Sequence, residues 1–127
     1  MDNLLDTHTL IWFLEGDFHI SPAARKSIEK ENVINFVSAV SLWEIAIKIS
    51  LNKLSLNGRF EDFILKLSEN GFQILPINSI DTLLVSRLDF KHRDPFDRMI
   101  VAQAINNNLN LISKDKILSE YPLQLIW

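Results

Sequence analysis

At 127 residues the chain is long enough for one domain with a real core, and its 47% hydrophobic and 23% charged composition is that of a soluble globular protein. It has no cysteine, which excludes a disulfide framework, a thiolate nucleophile and a Cys-based zinc site, so any metal must be held by oxygen or histidine. The net charge of −3 argues against a generally basic nucleic-acid coat and leaves room for a local basic rim around an acidic centre. No apolar run approaches the ~20 residues that span a bilayer, and Met1-Asp2-Asn3 lacks the basic start of a signal peptide, so the expected location is the cytoplasm, away from membranes.

In chain order, Leu4-Leu5 is a short apolar run and Asp6-Thr7 follows at once. Residues 8–14 read as a helix stopped by Gly16-Asp17, which places Asp6 at a strand's C-terminal end. Ser21-Pro22 opens a second helix, hydroxyl cap then proline, that runs to about Lys30. The β-branched and aromatic run 33–37 predicts a buried strand. Ser38 can cap a helix from Ala39 to Leu51, with Leu42, Ile45, Ala46 and Ile49 on its apolar face and Trp43-Glu44 in its first two turns. Phe60 to Glu69 is amphipathic and stops at Asn70-Gly71, Phe72 to Leu75 predicts a strand, and Ser79 to Leu88 a helix. Asp94-Pro95 opens a helix that runs to Asn106, Leu109 to Ile112 is a strand followed by Lys114-Asp115, and Leu123 to Trp127 reads as an edge strand. Trp12 and Phe13 are expected in the core, and Trp43 in the core or an interface.

With no repeat, linker or low-complexity tract, residues 1–127 are expected to form one domain. Alternating short strands and helices imply an α/β fold with a mostly parallel central sheet covered on both faces. In such sheets ligands bind beyond the C-terminal strand ends, at a switch in strand order. Asp6 and Asp115 fall at strand ends, and Glu44 and Asp97 near helix N-termini that face the same edge. Two unit charges ~4 Å apart repel by about 4 kcal/mol at an effective dielectric near 20, so four converging acids need a counterion or raised pKa values. Magnesium or manganese suits such a hard oxygen set, and the chemistry of either fits phosphodiester hydrolysis.

Each acid also has a purely structural reading. Asp6 could cap the following helix, Glu44 could close a capping box with Ser41 or pair with Lys48, Asp94 is a good cap before Pro95, Asp97 suits the helix dipole, and Asp115 could begin a turn. His8 and His92 lack metal-ligand spacing, and His92 could touch a phosphate. Lys91, Arg93 and Arg98 would ordinarily be a solvated face; beside an acidic centre they make a rim for the backbone of a nucleic acid.

Three stretches together carry a family resemblance: Leu4 to Leu14 around Leu5-Asp6-Thr7, Ser38 to Ile45 around Trp43-Glu44, and Arg93 to Ala104 around Asp94-Pro95-Phe96-Asp97-Arg98. The chain resembles PIN domains, and within them the VapC-type toxins of bacterial toxin–antitoxin pairs. The resemblance covers nearly the whole chain and extends to Tyr121–Trp127. It implies a three-layer α/β/α fold and a magnesium- or manganese-dependent endoribonuclease. It also implies a small cognate antitoxin, a homodimer, and contact with DNA only through the antitoxin. By motif position it carries over Asp6, Glu44, Asp97 and Asp115 as the catalytic, metal-holding acids, with Asp94 auxiliary. In the mechanism this suggests, Thr7 orients Asp6 or contacts the metal shell, and His92, Arg93 and Arg98 face RNA. Asp2, where this subgroup often has a basic residue, and Lys114 beside Asp115 depart from the pattern.

Other classes fit less well. A receiver domain needs an acidic pair after its first strand, and a haloacid-dehalogenase-type phosphatase needs Asp-x-Asp-x-Thr, which Asp6-Thr7-His8-Thr9 lacks. A catalytically silent module of the same fold, binding an antitoxin or RNA, needs no ordered set of acids and stays open as the alternative.

Overall fold

A computed structural model describes residues 1–127 throughout. Five strands, β1 (Asn3–Leu5), β2 (Asn35–Ser38), β3 (Gln73–Leu75), β4 (Asn110–Ile112) and β5 (Leu125–Ile126), form one sheet in the order β3-β2-β1-β4-β5. Every neighbouring pair is parallel, so the sheet is wholly rather than mostly parallel. Six helices accompany it: α1 (Thr7–Glu15), α2 (Pro22–Glu29), α3 (Ala39–Ser50), α4 (Phe60–Glu69), α5 (Ser79–Val85) and α6 (Pro95–Asn106). A 3-10 turn at Lys116–Glu120, which the sequence reading did not anticipate, precedes β5.

Alternation along the strands divides the interior in two. Leu5, Val37 and Ile112 pack with Leu10, Ala24, Ile28, Phe63 and Leu67 from α1, α2 and α4. Leu4 and Leu111 face the other way and pack with Ile100, Val101 and Ala104 of α6, and with Leu118 and Tyr121. Successive strand residues thus serve opposite cores, which makes three layers. Trp12 and Phe13 lie half-buried against the first core, as expected of them. Trp43 is 60% exposed and belongs to neither.

The helix starts follow from their caps. Asp6, Ser21, Ser38 and Asp94 each accept a backbone N–H of the first turn, and Gly16 closes α1 in the left-handed conformation at φ +66°. Two expected elements are shorter. β2 starts at Asn35 rather than at residue 33, because its partner β1 begins only at Asn3. α5 stops at Val85 rather than Leu88, because the Val85 and Leu88 carbonyls are taken by the Arg98 guanidinium.

At the N-terminal edge a polar ladder crosses three strands. Asn3 Nδ2 donates to Asn35 Oδ1 at 2.9 Å and to the Ser27 carbonyl at 3.1 Å, while Asn110 Nδ2 donates to Asn3 Oδ1 at 3.2 Å. Asn35 and Asn110 are the residues directly in register with Asn3.

The chain moves from β1 outward to β2 and β3, then returns past β1 to β4. The reversal therefore lies between β1 and β4, and Asp6 and Asp115 follow those two strands. α6 is fixed above this edge by Gln103, a fully buried amide that accepts from Ser38 Oγ and donates to the carbonyls of Leu75 at 3.4 Å and Pro76 at 3.2 Å. Gln103→Leu keeps the volume and strands the Ser38 hydroxyl and these carbonyls; it is expected to cost about 1–3 kcal/mol in urea denaturation.

Candidate metal centre at the sheet edge

Asp6 leaves β1 where its backbone N–H still donates to the Ile112 carbonyl of β4 at 3.1 Å. Both its carboxylate oxygens are held: Oδ1 accepts from Thr9 N at 2.9 Å, and Oδ2 accepts from Ser113 Oγ in a short bond. Ser113 is fully buried and also accepts the Asp115 backbone N–H at 3.1 Å. This serine joins two of the expected acids across the switch point, and the sequence reading missed it. The available signal was a hydroxyl two residues before an acid at a strand end.

Glu44, on the second turn of α3, is 4% exposed. Thr7 Oγ1 donates to its Oε1 at 2.7 Å and lies 3.0 Å from Ser41 Oγ. Lys48 Nζ sits 2.7 Å from Oε2, the (i, i+4) pairing that the structural reading of Glu44 anticipated. The capping box with Ser41 is absent, since Ser38 caps α3 and Ser41 turns to Thr7. Glu44 thus comes to the centre with both oxygens already engaged.

Asp94 is the cap of α6: its Oδ1 accepts from Phe96 N at 2.8 Å and Asp97 N at 3.1 Å. Asp97 then points into the group with no side-chain hydrogen bond of its own; the nitrogen nearest it is His92 Nε2 at 3.4 Å. Burial, and then the charges of Asp94 and Asp6, with a smaller push from Glu44, raise its pKa from 3.8 to about 7 against the opposing pull of His92. Asp97 thus feels the charges of Asp94, Asp6 and Glu44 together.

Asp115 caps the 3-10 turn, its Oδ1 accepting from Ile117 N at 3.2 Å. Its Oδ2 lies 2.8 Å from His92 Nε2. His92 Nδ1 accepts the Asp94 backbone N–H at 3.0 Å, so the ring proton sits on Nε2 and is donated toward Asp115. Atoms of His92, Asp97 and Asp115 come within 4.8 Å of one another, a spacing that one cation could bridge. With its proton on Nε2, His92 acts as a donor holding the acids rather than as a ligand. Lys114 does not neutralise Asp115; its Nζ lies 6.0 Å over the Trp12 ring.

Arg98 corrects an expectation. Placed by sequence at the RNA rim, it is 5% exposed and spent on the interior. Nη1 donates to the Asp89 carbonyl at 3.0 Å and the His92 carbonyl at 3.4 Å, and Nη2 to Val85 and Leu88, both at 3.2 Å. Its neighbours one and two turns on, Val101 and Ile105, pack in the second core, so the guanidinium is drawn under the loop 86–93. Tyr121 completes the clamp, donating to the Asp89 carbonyl at 2.8 Å and accepting His92 N at 3.0 Å. Arg98 thus holds the loop that delivers His92. Lys91 and Arg93 remain exposed on that loop.

The donor set suits a hard divalent cation: several carboxylates, no sulfur, and in Asp97 a half-buried acid that accepts no hydrogen bond. A surface concavity lies elsewhere, along α2 between Arg25, Lys26 and Glu29, with no convergent chemistry.

Against known families, the model described as PIN domain matches residues 4–123. The chain belongs to the PIN domain family. This PIN domain is 27% identical over 118 residues to Ribonuclease VapC22 of Mycobacterium tuberculosis, covering 93% of this chain and 90% of that protein. Its fold is similar to a crystal structure of VapBC2 from Rickettsia felis bound to a DNA fragment from their promoter, with TM-score 0.72, 18% identity, and 98% and 97% of the two chains covered. A toxin–antitoxin complex from Klebsiella pneumoniae matches with TM-score 0.66, 21% identity, and 95% and 93% coverage. These structural likenesses confirm the three-layer α/β fold.

Two consequences can be measured. Asp97 has its pKa raised on folding, so between about pH 4 and 7 the unfolded state releases a proton that the native state keeps, and stability falls as pH rises through that window. Asp97→Asn removes the penalty: relative to the parent it should gain stability above pH 7, on the order of 2–4 kcal/mol, and nothing at pH 3.5, in metal-free denaturation. Arg98→Lys cannot fork to the same carbonyls and should cost about 2–4 kcal/mol, with faster amide exchange concentrated in residues 86–93.

Proposed function

We propose that this PIN domain, residues 1–127 acting as one unit, is a magnesium- or manganese-dependent endoribonuclease and the toxin of a toxin–antitoxin pair. The observation that carries the reading is Asp97: a largely buried carboxyl, beside three other acids, with no donor of its own and a pKa near 7. Membership of the PIN family and the likeness to a protein named a ribonuclease support the choice of RNA.

Asp6 and Asp97 would hold the ion, Asp115 completing the shell, and Glu44 joining where Lys48 releases it. When bound, such an ion polarises a phosphate oxygen and lowers the pKa of a water. The chain's own residues do the rest. Ser113 and the Thr9 amide hold Asp6 in one rotamer with lone pairs left over, and Thr7 ties Glu44 to the start of α1. His92 steadies Asp115 so that a carboxylate oxygen can orient a water or accept its proton. Lys91 and Arg93, on the clamped loop, are placed to meet the RNA backbone.

A small antitoxin is the proposed partner, supported by the similarity to chains solved as toxin–antitoxin complexes. DNA contact would run through that antitoxin, and the site of action would be the cytoplasm; no helix of the chain is long and apolar enough to cross a membrane. A homodimer is proposed as well, for which Ile74, Ile77, Ile80 and Leu83 offer exposed apolar surface along β3 and α5.

The test is cleavage of structured RNAs by partner-free protein, with magnesium and with EDTA. Asp6→Asn and Asp97→Asn should each lose at least a hundredfold in rate, whereas Asp94→Asn, which keeps one capping oxygen, should lose far less. Metal-independent cleavage, or full activity in Asp97→Asn, would sink the proposed metal centre, and no cleavage of any RNA by folded protein would favour a silent interaction module.

A further inference from the structure

The chain has three tryptophans, and two of them, Trp12 and Trp127, pack against the first core. Trp12 stacks on His19 at 5.4 Å, meets Trp127 at 5.8 Å and lies beneath Lys114. Trp43 differs. It stands 60% exposed on α3, and its one aromatic neighbour is Phe96, at 5.4 Å and 72°. An edge-to-face contact fixes an indole while leaving a π-face open to solvent. A side chain this exposed leaves most of its possible burial unrealised, so the position is a poor choice for folding alone.

Its location supplies a use. Trp43 precedes Glu44 in the chain, and Phe96 lies between the cap Asp94 and Asp97. The Trp43–Phe96 contact therefore joins α3 to the start of α6 at the border of the acidic centre. The exposed cations Lys91 and Arg93 precede the same helix start. Together these residues combine a fixed aromatic platform with charges for a phosphate backbone, next to a centre suited to phosphate chemistry. This is the pairing by which proteins hold single-stranded nucleic acid.

We propose that Trp43, propped by Phe96, is a stacking site for an unpaired nucleobase next to the phosphate that is cut. The proposal rests on the ribonuclease reading above. A paired base has both faces covered by its neighbours and cannot use the platform.

The experiment compares a six-nucleotide oligoadenylate, an abasic strand of the same length and charge, and a fully paired RNA duplex, with calcium present to neutralise the acids. Oligoadenylate should quench tryptophan emission, and the abasic strand should not. Trp43→Leu should weaken oligoadenylate binding about five- to a hundredfold and leave abasic binding unchanged, while Trp43→Phe keeps most of the affinity. Thermal melts of both variants should match the parent, as expected for an exposed side chain. Equal loss for both strands in Trp43→Leu, duplex binding as tight as oligoadenylate, or no quenching by any RNA would overturn the proposal; the last result assigns Trp43 to a protein interface. If Trp43→Leu binds and cuts like the parent while Asp97→Asn does not cut, only the stacking site fails. If oligoadenylate quenches Trp43 and no RNA is ever cut, the nuclease reading fails and the stacking site stands.

Discussion

Like charges gathered at one edge of a parallel sheet are the constraint to which the rest of this molecule answers. Asp6, Glu44, Asp97 and Asp115 arrive from four segments, and nearly every polar group around them is arranged to hold one of them in place. Ser113 and the Thr9 amide fix Asp6, Thr7 and Lys48 fix Glu44, and His92 and the Ile117 amide fix Asp115. Asp97 receives no comparable support, and burial raises its pKa to about 7. The unfavourable energy of the assembly is thus concentrated on one carboxyl, where a cation would relieve it.

The supporting layer is as organised as the acids. Loop 86–93 has no regular structure of its own, yet Arg98 and Tyr121 gather its carbonyls from below and deliver His92 to the centre. A buried guanidinium serves here as a backbone clamp, which gives both terminal nitrogens acceptors without a carboxylate partner. Gln103 does the same with an amide for α6 and the ends of β2 and β3.

Much of this was legible in the sequence because it is local. Asp94-Pro95, Ser21-Pro22 and Ser38 announce helix starts through capping chemistry, and the division between Asp94 as cap and Asp97 as the free acid follows from their three-residue spacing. Non-local features were not legible. Arg98 reads as a surface cation until α6 is seen to turn that face inward, and Ser113 reads as a loop residue until β1 and β4 lie side by side. Trp43 looked like core or interface because a large aromatic on an apolar helix usually is buried; only the packing of α3 against α6 shows its ring left outside. The 3-10 turn after Asp115 escaped notice because five residues carry too little periodicity to announce it.

The asparagine ladder at the far edge acts as a ruler for the acids. β1 is three residues long, so Asn3 and Asp6 lie about 10 Å apart along the strand. Short leucine-rich strands have little besides their polar ends to keep them from sliding, and a one-residue slip would displace Asp6 by ~3.3 Å and exchange Leu4 and Leu5 between the two cores. Metal sites tolerate distance errors of only about 0.2 Å. Asn3, Asn35 and Asn110 touch none of the chemistry, yet by locking β1, β2 and β4 in step they set where Asp6 and Ser113 meet. Precision at one edge of the sheet is inherited from the other.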